Sequence, residues 1–123
     1  MANEILINAS LVYEDAEGVT ASISNVDDTI TVTTKKPVTN RQTITTSEVA
    51  INLGGLASIG WVMFKNLDTT NYIEIKTATG GTIIGKMLAG ESYGPVRMGS
   101  GVTAPFAIAN TASCEMEIMM CAP

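Results

Sequence analysis

Apolar and polar residues alternate with a period of two along most of the chain, and no window sustains the 3.6-residue recurrence of an amphipathic helix. That feature confines the fold to sheets. Ile5, Ile7, Ala9, Leu11 and Tyr13 alternate with Leu6, Asn8, Ser10 and Val12, which predicts a long first strand or extended arm with one apolar face. Glu14 to Gly18 closes it with a polar, acidic turn. Val19 to Ile23 and Thr29 to Thr34 read as the next two strands, separated by Asn25-Val26-Asp27-Asp28. Lys35, Lys36, Pro37 and Asn40 form a basic connection, because Pro cannot donate to a ladder and Asn favours turns.

Alternation resumes over Gln42 to Thr46 and Glu48 to Leu53, with Ile44, Val49 and Ile51 facing a core, until Gly54-Gly55 breaks the run. Gly60 to Leu67 carries the sole Trp, and Trp61-Val62-Met63-Phe64 in succession predicts a central strand covered on both faces. Ile73 and Ile75 stand opposite Glu74 and Lys76. Gly80-Gly81 then turns the chain back through Thr82 to Leu88 as a tight hairpin. A turn around Tyr93-Gly94-Pro95 precedes a short strand, Val96 to Met98. Ala104 to Ala109 and Ser113 to Met120 complete the set, the last with Cys114, Met116, Ile118 and Met120 on one face and Glu115, Glu117 and Met119 on the other.

Eight to ten short strands with regular turns predict an all-β, single-domain antiparallel β-sandwich of jelly-roll type. Residues 1–18 form its N-terminal strand or arm and residues 19–123 the sandwich. Composition agrees: 123 residues are one domain's worth, and 46% hydrophobic against 15% charged residues suits a folded chain. The excess of Thr, Ile and Val suits pleated, half-buried surfaces.

The chain has no histidine, the usual general base near neutral pH and a common metal ligand, so triads and most zinc sites are excluded. A net charge of -5 argues against a phosphate-binding surface, hence against nucleic acid as partner. Glu4, Glu14, Asp15, Glu17, Asp27 and Asp28 all precede the first basic residue, Lys35, so the front segment presents an acidic face. Cys114 and Cys121, if on one strand, stand roughly 23 Å apart, far beyond disulfide reach, and read as free thiols of a reducing compartment. The N-terminus lacks the basic start and apolar run of a signal peptide, and Leu53 to Phe64 is too short and glycine-interrupted to span a membrane. The expected product is cytoplasmic when made, with no membrane partner.

Gly80-Gly81-Thr82-Ile83-Ile84-Gly85-Lys86 has the spacing of a phosphate-binding P-loop, but Met87 replaces its Ser or Thr and no helix can follow before Gly90, Gly94 and Pro95. A hairpin accounts for the glycines. Glu14, Asp15 and Glu17, or Asp27 and Asp28, lack the spacing of a helix-loop-helix calcium site and read as solvated turn carboxylates. Nothing signals a cleft that would hold two of them as a glycosidase pair. Asn8-Ala9-Ser10 fits a glycosylation acceptor but lacks a secretory context. Trp61, Tyr13, Tyr72 and Tyr93 could form a sugar-stacking platform, although Trp61 reads first as core. Tyr93, between turn residues, is the one expected to be exposed. Met116, Met119 and Met120 read as adaptable core or interface filler. No catalytic, cofactor or metal residues are assigned.

The second half carries Gly60-Trp61-Val62-Met63-Phe64-Lys65-Asn66-Leu67-Asp68, then Asn71-Tyr72-Ile73-Glu74-Ile75, then Lys86-Met87-Leu88-Ala89-Gly90-Glu91, and finally Ala104-Pro105-Phe106-Ala107-Ile108-Ala109. This order of short motifs resembles small β-sandwich virion proteins of tailed bacteriophages, over about half of the chain. The resemblance implies a head decoration or cement protein: a jelly roll, often a homotrimer, on the capsid exterior, bracing neighbouring major capsid protein subunits. In that setting the arm could add to a strand edge of a capsid subunit or of a neighbouring copy, with Ile5, Ile7 and Leu11 as anchors. Tyr13 and Tyr93 are the further candidate contacts. The same arm reads equally as an internal strand of the sandwich. Rival functions are a carbohydrate- or receptor-binding module of a phage tail, using Tyr93, Trp61 and loop acids, and a structural tail-tube or baseplate component.

Overall fold

A computed structural model of the chain describes residues 4–14, 16–18, 20–31 and 37–123. All regular elements among them are strands, so the protein is all-β. The chain divides into two compact units, residues 1–33 and 34–123.

The first unit is a two-stranded antiparallel ribbon of β1 (Glu4–Glu14) and β2 (Thr20–Thr31). The two strands expected between Val19 and Thr34 are thus one strand, β2. Asn25-Val26-Asp27-Asp28, read as a separator, instead carries a bulge: Ile7 pairs with Asp28 and Ala9 with Asn25, so β2 has one residue more than β1 across that step. Pairing along β1 on both sides of the bulge keeps the strand continuous. The end of the predicted Thr29 to Thr34 strand, residues 32–34, and the Lys35-Lys36 part of the basic connection lie outside the described residues.

In the second unit two four-stranded sheets share one core. One has the order β3 (Val38–Ile44), β10 (Cys114–Met120), β5 (Trp61–Asn66), β8 (Ser92–Arg97). The other runs β4 (Val49–Ala50), β9 (Phe106–Ala109), β6 (Ile73–Lys76), β7 (Ile83–Met87). The pairings nest: β6 with β7, β5 with β8, β4 with β9 and β3 with β10, all antiparallel. β3 to β6 therefore behave as one half of a long ribbon whose returning half is β7 to β10.

Alternation sets the core. Cys114, Met116, Ile118 and Met120 of β10 are buried while Glu115, Glu117 and Met119 are exposed, as the sequence pattern predicts. Val62 and Phe64 of β5 meet Ile73, Ile75, Met87, Ala107 and Ala109 of the opposite sheet in one cluster. Burial of a side chain such as Phe64 stabilises by roughly 1.5–3 kcal/mol. β5 is central in its sheet, as expected, but only one of its faces is fully covered: Met63 and Lys65 are exposed. The sandwich supplies a second layer on the Val62–Phe64 side alone.

Two turns depart from expectation. β3 starts at Val38, inside the predicted basic connection, because β10 extends to meet it at the Met120–Val38 pair. Tyr93-Gly94-Pro95 lies within β8 rather than in a turn before it. There the ladder shifts between Val62 and Phe64 of β5, and β8 absorbs an extra residue at Gly94-Pro95, whose peptide bond is cis. Pro is tolerated because β8 is an edge strand. The predicted hairpin is present, with Gly80 at φ +64° and the loop closed by Thr77 N–H donating to the Thr82 carbonyl at 3.0 Å. The P-loop-like Gly80 to Lys86 stretch accordingly becomes this turn and the edge strand β7.

Candidate assembly surfaces

In the ribbon, cross-strand partners share a face. Leu11 pairs with Ile23 and Tyr13 with Ala21, so these four side chains form one apolar face at the turn end of the ribbon. All are exposed, Leu11 at 78% and Ile23 at 79%. The opposite face there carries Ser10 against Ser24 and Val12 against Ser22. Of the predicted anchors, Ile7 is buried and Ile5 half-buried, which leaves Leu11 accessible, along with the further candidate Tyr13. Ile23, like Ala21, is a member that sequence reasoning missed. Alternation marked it as apolar, but only the register brings it opposite Leu11.

A second surface is the outer face of the β3-β10-β5-β8 sheet. Register places Met119 beside both Met63 and Thr39, and Glu117 beside both Lys65 and Arg41. Met63 and Met119 are each more than two-fifths exposed. At the edge, Arg97 lies opposite Trp61 with its guanidinium 5.6 Å from the indole centre, a cation–π contact. Trp61 is therefore on the outer face, half-buried, and not in the core as expected. Its Nε1–H is buried without an acceptor among the described residues. Arg41 approaches Glu117 only to 4.0 Å, while Glu115 accepts from the Thr43 hydroxyl.

Tyr93 is placed differently from its expected exposure. It is half-buried, its ring stacks on Phe64 with centroids 6.1 Å apart, and its edge fills the space a side chain at Gly85 would need. Tyr72 lies under the Lys86 ammonium at 4.0 Å. An open groove of about 500 Å³ runs between the start of β3 and the 52–56 turn, lined by Val38, Asn40, Asn52 and Leu56 among others.

Two polar nodes brace the sandwich. Asn66, fully buried at the end of β5, donates from Nδ2 to the carbonyls of Asn71 (2.8 Å), Met87 and Leu88 (both 3.2 Å), and its Oδ1 accepts from Asp68 N–H at 3.0 Å. This one side chain ties β5 of one sheet to β7 of the other. Asp68 accepts from the Asn71 and Thr70 backbone N–H groups, which hold its carboxyl below the usual range. Glu48, just before β4, accepts from Lys76 Nζ at 2.6 Å, Gly80 N–H at 2.8 Å and Thr79 Oγ1 at 2.9 Å. These bonds, led by that from Lys76, lower its pKa from 4.5 to about 2.

Cys114 and Cys121 are free and buried. Burial pushes both thiols up, and the Asp68 carboxylate adds to the effect at Cys114. Among the described residues no three Cys, Asp or Glu side chains converge as metal ligands, and no helix is long and apolar enough to cross a membrane. The chain matches no family model, no curated protein and no solved structure.

Proposed function

We propose that this chain is a structural virion protein that works by assembly rather than catalysis: a decoration or cement protein on the exterior of a bacteriophage head, bracing neighbouring major capsid protein subunits. The observation that carries this reading is the exposed apolar face of the ribbon, Leu11, Tyr13, Ala21 and Ile23. A two-stranded ribbon is marginal alone in water, and such a face gains stability when another surface covers it. The nested pairing of β3–β10, β4–β9, β5–β8 and β6–β7 supports a jelly roll, an architecture that recurs in viral capsid domains. The net charge of -5 suits a surface turned away from packaged nucleic acid. The phage-like motifs of the second half supply the virion setting and the homotrimer.

Lectins share the jelly-roll architecture, but a sugar site needs a presented aromatic face. Here Tyr93 packs inward, Trp61 lies by Arg97 and Tyr72 lies under Lys86, so of the four candidate aromatics Tyr13 alone is openly presented, and the four form no common platform among the described contacts. The test is quantitative mass spectrometry of purified phage particles from cells making the chain, with antibody labelling of intact heads. A copy number in fixed ratio to the major capsid protein, on labelled heads, is expected. Absence from intact particles, or labelling confined to tails, overturns the proposal.

A further inference from the structure

The outer face of the β3-β10-β5-β8 sheet gathers sulfur. Met119 of β10 stands directly opposite Met63 of β5, and both are exposed. The pairing continues one step past the end of β10: Cys121 N–H donates to the Trp61 carbonyl at 2.9 Å, and the Cys121 carbonyl accepts from Gly60 N–H at 2.7 Å. Met120 belongs to the core cluster, so alternation puts Cys121 on the same face as Met119. Burial agrees, because Cys121 is buried yet stands outside the core cluster that holds Cys114. Trp61, Met63, Met119 and Cys121 thus occupy the corners of a two-by-two square. Directly opposite residues on such a face have Cβ atoms about 4.5–5.5 Å apart and diagonal ones about 7–8 Å, within reach of long side chains. The flexible methionine side chains let both thioethers turn toward the shorter Cys121.

We propose that Met63, Met119 and Cys121 form a binding site for one soft monovalent metal ion, of the class of copper(I) and silver(I). Thioether and thiolate sulfur select such ions, whereas hard divalent cations take oxygen ligands. The charge balance also favours a monovalent ion. As the Cys121 sulfur bonds the metal, the thiol releases its proton to solvent, and the thiolate cancels the ion's single positive charge. The two thioethers are neutral and complete the shell, and no electron is transferred. A divalent ion would instead leave a net positive charge at a partly buried place, close to the Arg97 guanidinium that lies on Trp61. The ion would bridge β5 to the end of β10. This site is independent of the virion reading, since it uses neither the ribbon nor a capsid partner.

The test titrates the reduced full chain with silver(I) in chloride-free buffer, read by native mass spectrometry and by the emission of Trp61, the sole tryptophan. One ion per chain is expected, with Trp61 emission quenched in step with its uptake. Met63→Leu combined with Met119→Leu keeps the apolar volume at two exposed positions and removes both thioethers. This variant should keep its circular dichroism and bind silver at least about tenfold more weakly, the size of loss that even supporting residues of a metal site produce. Cys121→Ser should weaken binding at least as much. Because the methionine variant changes only exposed side chains, it decides the matter even if Cys121→Ser fails to fold. Silver binding by that variant as tight as by the unaltered chain overturns the proposal, since a thiol alone would then be the ligand. So does an unaltered chain that takes up no silver, or one whose bound silver leaves Trp61 emission unchanged.

Discussion

The ribbon and the sandwich are written in the same alternating pattern, yet they dispose of their apolar faces in opposite ways. In β10, Met116, Ile118 and Met120 face a second sheet and are buried. In the turn half of the ribbon, Leu11, Tyr13 and Ile23 hold equivalent positions and are exposed. The difference teaches that alternation gives a strand an apolar side without saying which molecule covers it. Inside the sandwich the cover is another strand of the same unit. In the turn half of the ribbon the apolar side is exposed.

Substitutions can break that contrast. Ile118→Ala, at the centre of the sandwich, should cost about 2–5 kcal/mol from lost transfer energy and the cavity left behind, read as a large fall in Tm. A drop no larger than that of a surface substitution would mean that β10 is not the core strand described. Asn66→Leu should follow at about 3 kcal/mol, because it strands buried carbonyls of the opposite sheet and the Asp68 N–H. Urea denaturation should show the lower midpoint with an unchanged slope.

Glu48 sharpens the comparison through pH. Its pKa is depressed in the folded state, so its contribution is fully present above about 4.5 and is lost as pH falls toward about 2. Midpoints measured from neutral pH down to pH 2 should decline more steeply below 4.5 for the unaltered protein than for Glu48→Gln. Parallel declines would remove Glu48 as a clamp on the β6–β7 turn. The smallest effect belongs to the ribbon: Leu11→Ser should change the melting of isolated single chains by less than about 0.5 kcal/mol. A loss comparable to Ile118→Ala would show that Leu11 is internally covered after all.

What the sequence made legible was local. β10 could be read side chain by side chain, because a strand with one buried face repeats every second residue. The β6–β7 hairpin was announced by Gly80-Gly81. The merging of two predicted strands into β2 was not legible, since a polar stretch such as Asn25 to Asp28 can leave the ladder or form a bulge within it. Only the partner strand decides. Tyr93-Gly94-Pro95 misled for the same reason, because turn-forming residues also suit an edge-strand bulge. Of the candidate contacts Ile5, Ile7, Leu11, Tyr13 and Tyr93, only Leu11 and Tyr13 are exposed, and the exposure of Ile23, Met63 and Met119 depends on register and on which sheet face lacks a second layer. Trp61 was assigned to the core by its size, and alternation from Val62 and Phe64 places it on the other side.

The nested ladder also dictates an order of events during biosynthesis. β3 and β5 are neighbours only through β10, and β10 is made after both of them. The local β6–β7 closure can form early, whereas the outer rungs close progressively larger loops at rising entropic cost. On the ribosome, β3 and β5 therefore emerge before the one strand that joins them, so their sheet is completed late.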